Sequence, residues 1–154
     1  MVNSKTVQFH SPDQTTIFAA RLANNLASED LILLNGEVGA GKSVFCRALI
    51  QSMLQYEEDI PSPTFTLVQQ YDTKIGELWH ADLYRLNDPS EVIELGLLDA
   101  IENAVILIEW PDQITDFIPK SALNINIIAG SHETRVFHFS WTDEKWDEKL
   151  PDHE

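Results

Sequence analysis

Eight consecutive residues, Gly36-Glu37-Val38-Gly39-Ala40-Gly41-Lys42-Ser43, have the spacing of a phosphate cradle: a glycine, four residues, then Gly-Lys-Ser. Glycines let a backbone turn tightly and bring its N–H groups close to phosphate oxygens. A helix that begins at the end of such a loop adds its partial positive charge at the same point. Lys42 then has the reach for β- and γ-phosphates, and the Ser43 hydroxyl is a ligand for magnesium. Val44 follows as the first apolar residue of that helix, within contact of the same phosphates.

A cradle of this kind needs a carboxylate at the end of a neighbouring buried strand, because ligands of open α/β sheets sit outside the carboxyl ends of the strands. Val105-Ile106-Leu107-Ile108-Glu109 supplies one. Glu109 stands where Asp is usual, and its extra methylene lets it reach the metal, a metal-bound water or the attacking water. Asp82 is a second candidate. Alternation along Leu78 to Tyr84 puts His80, Asp82 and Tyr84 on one face and Trp79, Ala81 and Leu83 on the other. Asp82 could hold magnesium as a hard oxygen ligand; His80 is read as a hydrogen-bonded structural histidine. The loop Pro61-Ser62-Pro63-Thr64-Phe65-Thr66 is stiffened by its prolines and offers hydroxyls to a γ-phosphate or metal, as switch segments do. A plain structural loop fits its composition equally well. Trp110 has packing as its default role. The sole cysteine, Cys46, is read as core, since a reactive thiol needs an activating environment.

The elements that must position these residues follow from pattern. Val7 to Phe9 is a short strand. Ser11 is placed as an N-cap, with Pro12 first in the helix and Gln14 as the reciprocal partner. Thr15, Phe18, Ala19, Leu22 and Leu26 form its core stripe. Leu31 to Asn35 is a continuous apolar strand, as in a parallel sheet. The helix after the loop is apolar on two sides, through Phe45, Leu49, Met53 and Cys46, Ile50, Leu54. Thr64 to Tyr71 and Leu78 to Tyr84 are expected as a hairpin turning at Asp72 to Glu77. Asp88 caps a helix that Gly96 ends. Ser121 to Ile128 and Thr134 to Trp141 form a second hairpin. In the tail, Trp146 and Leu150 sit four apart, which fits a short helix or a disordered end equally. The expected fold is α/β, a P-loop NTPase-type three-layer domain with a mixed, mostly parallel central sheet and antiparallel hairpins. Residues 1–141 form the domain and 142–154 an acidic tail.

Composition narrows the function. The chain has 154 residues, 44% of them hydrophobic, enough for one domain with a real core. No apolar run has the length of a membrane span, and Met1 to His10 lacks the charged-then-apolar layout of a signal segment. One cysteine excludes an internal disulfide framework and fits a reducing, cytoplasmic setting. Twenty-five acidic residues against ten basic ones give a net charge of −15. The tail from Thr142 contributes −4 of this, so the body is acidic too. A protein that grips DNA or RNA by itself needs a basic patch. An acidic surface suits docking on a basic protein partner instead.

Taken in order, the cradle, Ser62-Pro63-Thr64-Phe65-Thr66-Leu67-Val68, His80-Ala81-Asp82-Leu83-Tyr84-Arg85-Leu86 and Glu109-Trp110-Pro111 resemble the bacterial TsaE (YjeE) family, over about Val7 to Trp141. Ser43 replaces the threonine common in that family. The resemblance implies a small ATPase of tRNA threonylcarbamoyladenosine synthesis. It would bind ATP with Mg2+, hydrolyse it slowly alone, and dock on the TsaB and TsaD proteins. Those partners, rather than this chain, would handle the tRNA; no membrane and no DNA are implied. By position, Lys42 and Ser43 contact phosphates and magnesium. Glu109 and Asp82 are the two essential acids, and Thr64 is the switch hydroxyl. Trp110 stands beside the site, and Thr15 and Arg135 are candidates for the nucleobase. Arg47 and Arg85 are the arginines nearest the cradle in sequence. A small-molecule kinase is the alternative; it would need an acceptor pocket and an arginine-bearing lid, and no Arg-rich segment follows the cradle. A GTP-dependent switch would need an Asn-Lys-x-Asp motif, which is absent. A vestigial binding module would not keep the full cradle and two placed acids.

Overall fold

The computed structural model describes residues 2–37, 39–63 and 66–152. Val38 and Thr64, both expected at the phosphate site, lie outside the described residues. The elements run β1 (Asn3–Phe9), α1 (Pro12–Ala23), β2 (Leu31–Gly36), α2 (Lys42–Met53), β3 (Val68–Thr73), β4 (Gly76–Asp82), α3 (Ser90–Glu94), α4 (Leu97–Ala100), β5 (Val105–Glu109), a 3₁₀ segment (Pro111–Phe117), β6 (Leu123–Ala129), β7 (Arg135–Trp141) and α5 (Lys145–Lys149).

Seven strands form one sheet in the order β1-β7-β6-β2-β5-β4-β3. The central pairings β6–β2, β2–β5 and β5–β4 are parallel, and the flanking ones β1–β7, β7–β6 and β4–β3 are antiparallel. The apolar runs of β2 and β5 are buried because both faces of the sheet centre are covered. Ile32 and Leu34 face α1 and α2 together with Val105, Leu107, Phe45, Leu49 and Ile50. Leu31, Leu33, Ile106 and Ile108 face the α3–α4 side with Leu83, Val92 and Leu97.

Local rules account for most element ends. Ser11 caps α1 by accepting the Gln14 N–H, but the Gln14 side chain accepts from His10 N–H at 2.7 Å rather than from Ser11. All five residues of the expected stripe are buried. Asp88 accepts from Ser90 N–H at 2.9 Å ahead of α3, and Gly96, at φ +83°, ends it. Both hairpins are present. The leading strand of the first, expected from Thr64, begins at Val68, because Leu67 takes a left-handed backbone (φ +67°) that an extended strand cannot contain; Thr64 and Phe65 lie outside the described residues. The turn of this hairpin is Lys74-Ile75 alone, between strand ends Thr73 and Gly76. β4 stops at Asp82, so Tyr84 leaves the alternating face on which it was placed.

Of the two possibilities for the tail, the structure takes the helix. Trp146 of α5 is fully buried, and its indole N–H donates to Ser121 O at 2.8 Å. Asp30, 1% exposed, pairs with both Lys145 and Lys149 and ties α5 to the turn before β2.

Candidate functional site

The site forms where β2, β5 and β4 end side by side. β2 runs into the glycine loop. Gly36 is required there by close approach: a Cβ would lie 2.7 Å from Ile127 O on β6. Gly39 (φ +83°) and Gly41 (φ +108°) hold left-handed conformations that other residues adopt with strain. Gly41 is the N-cap of α2 and offers no side-chain cap. The first-turn N–H groups of α2 are therefore not taken up by a capping side chain, as an anion-binding helix start requires.

Parallel register sets Glu109 opposite Leu34 of β2 on one side and Asp82 of β4 on the other. Both carboxylates are buried, at 3% and 6% exposure. The chain beyond β5 is held by Trp110 N–H donating to Leu34 O at 3.1 Å. Leu83 N–H donates to Glu109 O at 3.0 Å, which locks the end of β4 to that of β5. Asp82 also accepts the N–H of Tyr84 at 3.0 Å. A cavity of about 390 Å³ results, lined by the cradle residues Gly39, Gly41, Lys42, Ser43 and Val44, the acids Asp82 and Glu109, and Ser62, Tyr84, Arg85 and Trp110.

Lys42 donates to Gly36 O, and its ammonium lies 3.6 Å from the centre of the Trp110 ring. Burial lowers its pKa from the usual 10.5, against the pull of Glu109 and Asp82, which favour the charged form. Trp110 is placed over Lys42 by a left-handed backbone (φ +58°) and by Tyr84, whose ring centre is 4.9 Å away. Such a conformation is uncommon for a residue of this bulk. Cys46, one turn on from Lys42, is fully buried, and burial pushes its thiol well above the usual range, reinforced by Glu109 and Asp82.

The structure thus brings Gly39, Gly41, Lys42, Ser43, Val44, Asp82, Glu109 and Trp110 together. It turns Gly36, Glu37 and Ala40 instead to an adjoining cavity of about 260 Å³ with Asn126 to Ala129 of β6. Thr15 and Arg135, far apart in sequence, meet in a third cavity of about 200 Å³ that shares Gly39, Gly41 and Val44 with the main one. The Arg135 side chain approaches Gly41 to within 3.7 Å of where a Cβ would stand. Arg85 lines the main cavity, whereas Arg47 donates to Ile60 O. His80, read from the sequence as a hydrogen-bonded histidine on the face of Asp82, is one: its Nε2 lies 2.8 Å from Glu109 Oε2, a partner that its own segment does not name.

One donor set is hard and oxygen-rich: the Ser43 hydroxyl and the carboxylates of Asp82 and Glu109. These residues fit a magnesium ion, which takes few protein carboxylates alongside phosphate oxygens and water. Loop, helix start and Lys42 fit a polyphosphate.

Comparison with known proteins places the chain in a family and matches its fold. A family model described as "Threonylcarbamoyl adenosine biosynthesis protein TsaE" matches residues 9–137. The chain is 39% identical over 127 residues to the tRNA threonylcarbamoyladenosine biosynthesis protein TsaE of Rickettsia bellii, covering 82% of this chain and 88% of that one. The protein of the same name from Bacillus subtilis is 30% identical over 148 residues, covering 94% and 92%. The crystal structure of Bacillus subtilis YdiB superposes with a TM-score of 0.81 over 97% of this chain and 93% of that one, at 24% identity, which shows a shared fold. With the family match spanning the sheet from the end of β1 to the middle of β7, the chain belongs to the TsaE family of tRNA threonylcarbamoyladenosine biosynthesis proteins.

Proposed function

We propose that the chain is a Mg-ATP-binding protein that hydrolyses the γ-phosphate slowly by itself, and that this cycle drives or resets a TsaB–TsaD complex in tRNA threonylcarbamoyladenosine modification. The observation that carries the reading is the convergence of Lys42, Ser43, Asp82 and Glu109 on one cavity at the carboxyl ends of β2, β4 and β5.

Each residue then has a task. Backbone amides of the loop and the start of α2 hold the phosphates. Lys42 sets a cation beside the bridging and terminal oxygens, where developing charge is offset. Magnesium, when bound, supplies neutralisation of the phosphate oxygens. Ser43 and Asp82 would hold it. Glu109 would orient the attacking water by accepting its hydrogen bond. Thr15 and Arg135 flank the far side of Gly41, a position suited to the nucleoside end of the ligand. Arg85 is the arginine that lines the cavity, and turnover is expected to stay slow until a partner completes the site.

Calorimetry with Mg-ATP and a phosphate-release assay, with and without TsaB–TsaD, test the reading. Lys42→Ala should abolish turnover. Glu109→Ala should keep nucleotide binding and lose hydrolysis. Wild-type turnover in the Lys42 variant would remove the phosphate assignment, and equal loss of binding and hydrolysis in the Glu109 variant would make Glu109 a metal holder instead.

A further inference from the structure

His80 lies inside the protein, 3% exposed, on the face of β4 that also carries Asp82. Across β4–β5 it stands opposite Leu107, one alternation short of the Asp82–Glu109 pair, and its ring reaches forward to the Glu109 carboxylate. The contact, Nε2 to Oε2 at 2.8 Å, is made between side chains that are each 4% exposed. A carboxylate only accepts, so Nε2 carries the hydrogen. The other nitrogen, Nδ1, has no hydrogen-bond partner among the described residues. A buried polar atom without a partner is a cost that an apolar side chain at the same place would not carry. The hydrogen bond of His80 among the described residues is thus the one to Glu109. Cys46 is close by: its sulfur, a His80 nitrogen and a Glu109 oxygen lie within 4.8 Å of one another. That thiol is a weak donor and cannot substitute for the imidazole in fixing Glu109.

The terminal torsion of a glutamate is broad, so an unanchored Glu109 would sample many carboxylate orientations. Positioning a water needs the group held within about 0.5 Å. We propose that His80 is a positioning residue for hydrolysis: by holding Oε2 of Glu109 it fixes the plane of the carboxylate and leaves Oε1 to the phosphate cavity. The inference rests on the hydrolysis reading above and adds the residue that makes Glu109 effective.

The test uses the full chain with Mg-ATP, measuring turnover by phosphate release and nucleotide affinity by calorimetry. His80→Ala should lower turnover about 10- to 100-fold, the range seen when partners that orient site ligands are removed, with affinity unchanged. His80→Gln, whose amide N–H can donate to the same oxygen, should recover part of the loss. The double variant His80→Ala/Glu109→Ala should turn over no more slowly than Glu109→Ala alone, since a residue that acts only through Glu109 has nothing left to act on. Wild-type turnover in His80→Ala, or losses that multiply in the double variant, would overturn the proposal. If His80→Ala does not fold, His80→Gln against His80→Met asks the same question, and equal rates would overturn it. Unchanged turnover in Glu109→Ala would instead sink the hydrolysis reading itself.

Discussion

Lys42 and Cys46 sit one turn apart on α2 and show how the same burial acts on opposite chemistries. Burial disfavours the charged form of each, lowering the lysine and raising the thiol. Lys42 keeps its place because Glu109, Asp82 and the Trp110 ring favour its cation. Cys46 keeps its proton and is inert. Iodoacetamide should therefore leave the native chain unlabelled at neutral pH and label it once denatured; rapid labelling of the native protein would contradict the burial. The sign of the linkage is fixed as well. A folded-state thiol pKa above the unfolded value of about 8.5 means that the native chain holds a proton the unfolded chain gives up. This contribution is intact below that pH and is lost as pH rises above it. The melting temperature of Cys46→Ala should fall less between pH 8 and pH 10 than that of the wild type. Lys42, Ser43, Asp82 and Glu109 were all legible from spacing, because each is placed by its own strand or loop. The bond between His80 and Glu109 was not, since it depends on which strands lie side by side, and nothing local to either segment states that.

At the level of elements, α5 has the largest consequence for its size. Its five residues bury Trp146 completely, and Lys145 and Lys149 neutralise the buried Asp30. Trp146→Ala should cost about 3–5 kcal/mol through the cavity it leaves. Leaving the buried Asp30 carboxylate without its cations costs about as much, so the double variant Lys145→Ala/Lys149→Ala should destabilise by a similar amount. Denaturant titrations read both, and a loss under 1 kcal/mol in either would show α5 to be peripheral. The tail could not be assigned to helix or disorder from sequence because its apolar pair gains nothing until β6 and the α1–β2 turn supply a cover. The late start of β3 has a comparable reason. Thr64 to Tyr71 alternates in sequence as a strand should, but Asp82 N–H bonds Leu67 O while Leu67 turns left-handed, so β3 begins after it, at Val68.

Over the whole molecule, ten basic residues stand against twenty-five acidic ones, for a net charge of −15. The lysines of α5 are committed to Asp30, and Arg135 is turned into the cavity beside the glycine loop. If basic partner surfaces recognise this chain, attraction between them is long-ranged and screened by salt. The proposed stimulation of phosphate release by TsaB–TsaD should then weaken as ionic strength rises, with slower association, while the proposed intrinsic rate stays nearly constant. Insensitivity of the stimulated rate to salt would argue for an apolar dock.

The sheet order pairs the first strand with the last, Asn3 opposite Trp141, and Lys5 donates to Pro151 O at 2.8 Å. Contacts between segments so distant along the chain form late and slow folding. A chain emerging from the ribosome can complete β2, the glycine loop and α2 well before β7 exists. Because Arg135 opens β7, the pocket it shares with Thr15 is among the last features assembled. Nascent chains should form the glycine loop first and the finished pocket around Thr15 and Arg135 only when β7 has joined the sheet.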